Sequence, residues 1–263
     1  MKKVFLGLPV IFILLFSGCS KDNPTSPSGS GELKMYMVDS PAGFDAVFIN
    51  VTEVDVHSAT SDSNGGWFVL NSTPHIYDLL TLRNGISTVL GDSMLAAGHY
   101  TQIRLILGAG SNVVINGASY SLTVPSGFQT GVKLNADFDI QANATYQLTL
   151  DFNAAKSIIQ AGNKYILQPV IRCVANETSG TISGTVLPVT ANAIVWTVAN
   201  SDTVSAYADS FSGYFKIMAF PAGTYTLNIQ ASDTTTFKST ILNNVVVASG
   251  QNTDAGTITL SPK

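Results

Sequence analysis

Few side chains in this sequence combine the type and the spacing that chemistry requires. Asp137 and Asp139, in Ala136-Asp-Phe-Asp-Ile140, stand two apart and so project from one face of a strand. Such a pair can hold Ca²⁺, or serve glycoside hydrolysis when its carboxyls lie about 5–9.5 Å apart. Solvated charge on an exposed strand is the plainer reading and the one adopted. Asp151 and Asn153, at a strand-to-helix transition, read as a cap for free backbone N–H groups, with a cation site as the alternative. Asp39-Ser40-Pro41 reads as a turn in which the Asp side chain bonds to backbone. The three histidines, His57, His75 and His99, form neither a His-x-His pair nor a His-Glu-x-x-His helix. A metal site is therefore unsupported, and His57 and His99 read as surface polar groups. Neither a Gly-x-Ser-x-Gly elbow nor a Gly-rich phosphate loop before a helix is present, and no cofactor is implied.

The aromatic and sulfur side chains divide in the same way. Trp67, in Asn64-Gly-Gly-Trp-Phe68, follows a Gly-Gly turn that leaves its ring free to stack on a sugar, so it is the candidate ligand-binding residue. Trp196, in Val195-Trp-Thr197, falls within an apolar strand and is expected in the core. Cys173 sits in the strand-like segment from Tyr165 to Val174. It is either a buried, unreactive thiol or half of an intermolecular disulfide.

Cys19 has the clearest chemistry. Lys2 and Lys3 precede an apolar run from Val4 to Phe16, and Phe16-Ser17-Gly18-Cys19-Ser20 follows. Charge, apolar core and small residues are the parts of a secretory signal peptide, and the run is shorter than the roughly 20 residues that span a bilayer. The cysteine placed after them resembles the lipobox of bacterial lipoproteins. That resemblance implies cleavage before Cys19, a diacylglyceryl thioether on its sulfur and an acyl chain on its new N-terminus. Residues 1–18 are then the signal peptide and residues 19–31 a lipidated tether, polar and rich in Pro and Gly, which is expected to be disordered. A tether of about 12 residues spans roughly 20 Å. The expected address is the bacterial cell envelope. Ser20 in place of Asp favours the outer membrane, and Lys21-Asp22 resembles a surface-export signal.

Charged residues make up 11% of the chain, against about 25% in a typical protein, and the net charge is −4. The 13 Lys and Arg are scattered without a basic stripe, which excludes nucleic acid as a partner. The expected fold is all-β: two tandem antiparallel β-sandwiches over residues 32–176 and 178–263. Leu33, Met35 and Met37 alternate with polar or smaller neighbours, as do Tyr146, Leu148, Leu150 and Phe152. Between Phe48 and His57 the phase slips, which predicts a β-bulge near Thr52-Glu53. In the second half, Tyr225, Leu227, Ile229 and Ala231 are expected to face inward. Helical signal is limited to about two turns over Asn153–Ile159 and one over Asp92–Ala96.

Two stretches resemble known families. Gly31-Glu-Leu-Lys-Met-Tyr-Met-Val-Asp39-Ser-Pro41, Ala97-Gly-His-Tyr-Thr-Gln-Ile-Arg-Leu105 and Leu148-Thr-Leu-Asp-Phe-Asn153 are similar to landmarks of a bacterial lipoprotein family, domain of unknown function 4382. Ile182-Ser-Gly-Thr-Val186, Asp209-Ser-Phe-Ser-Gly213-Tyr-Phe and Phe220-Pro-Ala-Gly223-Thr-Tyr-Thr-Leu227 resemble the carboxypeptidase regulatory-like, transthyretin-like module. The first family implies no activity. The second implies a non-catalytic accessory or spacer unit, sometimes grouped with carbohydrate-binding-like folds. The expected function is a non-enzymatic, membrane-anchored module that binds or presents a glycan or an envelope protein. The alternatives are a fimbria- or adhesin-like subunit, which tandem sandwiches on a lipid-anchored precursor resemble, and a glycoside hydrolase using Asp137 and Asp139.

Overall fold

The computed structural model describes residues 29–60, 63–125 and 130–263, so the signal peptide, Cys19 and the tether before Gly29 lie outside the described residues; Ser30 and Gly31, expected in the tether, instead open the first strand by pairing with Ala96 and Leu95. The first thirteen described strands are β1 (Ser30–Ser40), β2 (Ala46–Ser58), β3 (Trp67–Asn71), β4 (His75–Asp78), β5 (Thr88–Ala96), β6 (Gly98–Leu107), β7 (Asn112–Ile115), β8 (Ala118–Thr123), β9 (Val132–Ile140), β10 (Thr145–Asn153), β11 (Ile158–Ala161), β12 (Lys164–Leu167) and β13 (Ile171–Ala175). One sheet has the order β13-β10-β1-β5. The other runs β11-β12-β8-β7-β2-β6-β9, with β3 and β4 also paired to β2. Seven more strands follow: β14 (Ser179–Leu187), β15 (Ile194–Ala199), β16 (Asp202–Tyr207), β17 (Tyr214–Pro221), β18 (Gly223–Gln230), β19 (Thr240–Val247) and β20 (Asn252–Thr259). They form sheets β17-β14-β20 and β16-β15-β18-β19. The chain is thus an all-β tandem of two sandwiches, each with its own core.

Alternation dictates the first core. Leu33, Met35 and Met37 of β1 are essentially fully buried, and each such side chain contributes about 1.5–3 kcal/mol of burial. In β2 the register against β6 shifts between Val51 and Glu53. This bulge is why Ile49 and Val51, of one parity, and Val54 and Val56, of the other, all reach the core. Leu148, Leu150 and Phe152 of β10 face inward. Thr149 and Asp151, on the opposite face, are also buried, for the second sandwich lies against that end of the strand. Leu227, Ile229 and Ala231 are buried in the second core, with Tyr225 packed at its margin.

Most pairs are antiparallel, but β1–β10, β8–β12 and β14–β20 run parallel. Their partners come from segments far apart in sequence, and a parallel neighbour needs such a crossover where a hairpin cannot serve. The helical expectations shorten. Asp92–Ala96 belongs to β5, where Asp92 and Ser93 pair with Lys34 and Leu33. Within Asn153–Ile159 the helix is confined to Ala154–Ser157, and the β-branched pair Ile158-Ile159 starts β11 at once.

Candidate functional site

The ends of β1 and β10 lie where the two sandwiches meet. Ser40 Oγ donates to Asp151 Oδ1 at 3.1 Å. Arg172 of β13 donates through Nη2 to Asp151 Oδ2, and through Nη1 to the Ala219 carbonyl of β17 at 2.9 Å. One guanidinium therefore ties a carboxylate of the first sandwich to the backbone of the second. Asn84 reaches the same sandwich from a loop, held at a φ of 53°, a left-handed conformation that Asn tolerates. Its Nδ2 donates to the Tyr207 carbonyl, and its Oδ1 accepts from Lys216 N–H, each at 3.2 Å. The side-chain amide bridges β16 and β17, the facing edge strands of the second sandwich's two sheets.

This junction is buried and electrostatically tuned. Asp39 is 7% exposed; its Oδ1 accepts from Ala154 N–H at 3.0 Å, and Oδ2 has no partner among the described residues. Burial, with the negative charge of Asp151 adding to it and the Ala154 N–H opposing, pushes the Asp39 carboxyl up to about 9. Asp39 is therefore neutral at pH 7. Burial also raises Asp151, against the pull of Arg172. Crevices of about 20 and 40 Å³ line the two sides of Ser40 and Asp151, room for water molecules and little else. The cluster is built to hold the sandwiches together, not to admit a ligand. The expected local turn at Asp39 is corrected accordingly: Asp39 and Ser40 finish β1, and the carboxyl caps a backbone N–H far away in sequence. Asn153 does cap the short helix, accepting from Lys156 N–H at 3.0 Å. Asp151 caps nothing; it is spent on Ser40 and Arg172.

The other sequence candidates fall elsewhere. Asp137 and Asp139 are 88% and 73% exposed at the side chain, and His99 lies between them. Its Nε2 is 3.1 Å from Asp137 and its Nδ1 3.0 Å from Asp139. The two carboxylates thus flank opposite nitrogens and do not converge on one point. Among the described residues no three His, Cys, Asp or Glu side chains are grouped to hold a metal ion. Trp67 meets His57 edge-on at 5.1 Å between ring centroids. The Arg104 guanidinium lies 4.4 Å from the Trp67 ring centre and the Lys133 ammonium 5.6 Å. Arg104 Nε in turn donates at 2.7 Å to Asp55, which is 1% exposed. The ring is therefore committed to a cation–π stack over a buried ion pair. Cys173 is half-buried and free, and burial pushes its thiol up to about 12, so it carries no reactive thiolate.

Trp196 is the residue that sequence reasoning misplaced. Val195, Thr197 and Ala199 face the core, while Ile194, Trp196 and Val198 face outward. Thr197 can be buried because its Oγ1 donates to the Thr226 carbonyl at 2.7 Å. That hydrogen bond lets Thr197 share the inward face with Val195 and Ala199, and the indole, on the other parity, lies half-buried on the outer face. The signal was present as small residues (Val, Thr, Ala) on one parity and larger ones (Ile, Trp, Val) on the other.

The family model described as "Domain of unknown function (DUF4382)" matches residues 30–169. A comparison with curated proteins returned no match. Among solved structures, the Bacillus anthracis TIE protein is similar over 89% of this chain and 34% of its own, at 13% identity and a TM-score of 0.24; the chain spans about a third of that protein's length. The shaft pilin spaA from Lactobacillus rhamnosus GG is similar over 90% of this chain and 98% of its own, at 9% identity and a TM-score of 0.26. A fimbrial protein from Bacteroides ovatus ATCC 8483 is similar over 89% and 50%, at 8% identity and a TM-score of 0.26.

Proposed function

The chain belongs to the family described as Domain of unknown function (DUF4382), and from that premise we propose a non-catalytic, lipid-anchored protein of the bacterial cell envelope. It carries two β-sandwiches as one stiff body and presents the second to a glycan or envelope partner. The observation that carries this reading is the placement of chain entry and junction at opposite ends of β1. Ser30 starts the strand, and Ser40 ends it beside the Asp151–Arg172 clasp. Its 11 residues, at about 3.3 Å each, separate the two by roughly 35 Å. A lipid on Cys19 would be joined to the first sandwich through the Ser30 end of β1, the end opposite the clasp. The second sandwich, read as a carboxypeptidase regulatory-like accessory module, then points away from an outer-membrane anchor. Asp137 and Asp139 are tied to opposite sides of His99 and do not face each other across a bond to be cut.

Limited proteolysis of membranes carrying the protein tests this reading. The expected first cut lies within residues 20–28 and releases one folded fragment holding both sandwiches. A first cut between Ala175 and Ser179 that frees the second sandwich alone would contradict the stiff-body reading.

A structural subunit of a surface fibre is the second reading, and β19 favours it. This edge strand carries neither charge nor proline, and its Ile241 and Val246 are 58% and 62% exposed. Uncharged, exposed edges of this kind recruit further strands. Electron microscopy of the concentrated protein separates the two readings: fibres support the second, monomers the first.

A further inference from the structure

We infer that the outer face of sheet β16-β15-β18-β19, centred on Trp196, is a binding surface for a neutral saccharide chain. This deepens the presentation reading above and rests on it by naming the ligand class and the surface. Trp196 stands on β15 with Ser205 of β16 on one side and Asn228 of β18 on the other. One step along the same face, Ile194 is flanked by Tyr207 and Gln230. Ile194, Trp196, Thr203, Ser205 and Gln230 together line a shallow, open depression on this face, shaped for an extended chain lying along the sheet and not for an enclosed small molecule.

Three properties of this face select the ligand. First, it lacks charge: across β15, β16, β18 and β19 the only ionisable acid or base other than Tyr is Asp202, at the far end of β16. A nucleic acid, a phosphate or an acidic glycan would find no cation there to pair with. Second, Ser205, Asn228 and Gln230 make no side-chain hydrogen bond to another described residue. Thr197 and Thr226 of the same sheet, by contrast, spend their hydroxyls on the Thr226 carbonyl and on Asn243. An apolar occupant would cover those free amide and hydroxyl groups and leave them unpaired. A sugar supplies hydroxyls that both donate and accept. Third, Trp196 lines the depression half-buried, and an indole carries a π-face of negative character that attracts the weakly positive C–H groups along one side of a pyranose ring. The other tryptophan cannot do this, with Arg104 already over its ring.

The test is a glycan array of neutral and acidic saccharides, probed with the labelled chain from Ser20 onward, which keeps every described residue. Binding to one or more neutral glycans is expected, with no weakening between 50 and about 300 mM salt, as befits an uncharged interface. Trp196→Ala should weaken it at least tenfold, Gln230→Ala severalfold, and Trp67→Phe should leave it unchanged. Circular dichroism of each variant checks folding, and Gln230→Ala serves if Trp196→Ala fails to fold. Binding confined to acidic glycans, binding that survives both substitutions at full strength, or no glycan binding at all would overturn the inference. None of those outcomes alters the lipid anchor or the single proteolytic fragment, so this inference can fail while the envelope reading stands.

Discussion

Replacing Arg172 with Ala removes the guanidinium paired with Asp151, the two side chains being 17% and 7% exposed. Breaking a buried ion pair from one side costs about 3–5 kcal/mol, because the surviving charge is left uncompensated. Asp151 is already raised by burial and takes up a proton once Arg172 is gone, which returns part of that cost. Loss of the bond to the Ala219 carbonyl adds about 1 kcal/mol. The net expectation is about 3 kcal/mol. At about 2–4 °C per kcal/mol for chains of this size, Tm should fall by roughly 6–12 °C. Thermal melts at pH 7, followed by circular dichroism, read the effect. The double variant Asp151→Leu plus Arg172→Met should recover most of it, since an apolar pair of similar volume replaces a buried ion pair at little cost. A single variant melting within 1 °C of the parent would refute the reasoning. So would a double variant as unstable as the single one.

Asp39→Asn keeps an acceptor for Ala154 N–H but cannot ionise. Because the folded-state pKa of Asp39 lies at about 9, above its unfolded value of 3.8, its contribution is fully present below pH 3.8 and is lost as pH rises toward 9. The parent should therefore lose up to about 1.4 kcal/mol per pH unit across that window from this group, and the variant should show a flatter denaturation profile between pH 5 and 8. An unchanged slope would refute the assignment. Asn84→Ala loses both bonds to the second sandwich and puts at φ 53° a residue that tolerates the left-handed region less well than Asn, for a cost of about 2–4 kcal/mol. Proteolysis between Ala175 and Ser179 should accelerate at least tenfold in that variant. Asn84→Gly, which relieves the backbone strain alone, should show a smaller but similar change.

Period-two alternation made the inward faces of β1, β10 and β18 legible, and the parity slip from Val51 to Val54 marked the bulge in β2. Each of these signals lies within a single strand. What stayed hidden depends on a second strand. Asp39 looked like a turn residue because its partner, the Ala154 N–H, is 115 residues away. His99 joined the two aspartates only through the pairing of β6 with β9. Trp196, expected in the core, lies on the outer face because Val195, Thr197 and Ala199 take the inward parity, with the Thr197 hydroxyl satisfied by a carbonyl on β18. Asp92–Ala96 lacked a strand signature of its own and was fixed by pairing with β1. Polar residues at strand interiors were thus the least readable, since their burial is decided by whichever group lies across the sheet.

The central claim is that a lipid on Cys19 holds these two sandwiches at the envelope. Growing cells with a clickable palmitate analogue, then fractionating them, tests it most directly. The parent should incorporate the label and pellet with membranes, whereas Cys19→Ser should carry no label and appear in the soluble fraction with both sandwiches folded. Equal labelling of the variant, or its full retention in the membrane fraction, would contradict the account.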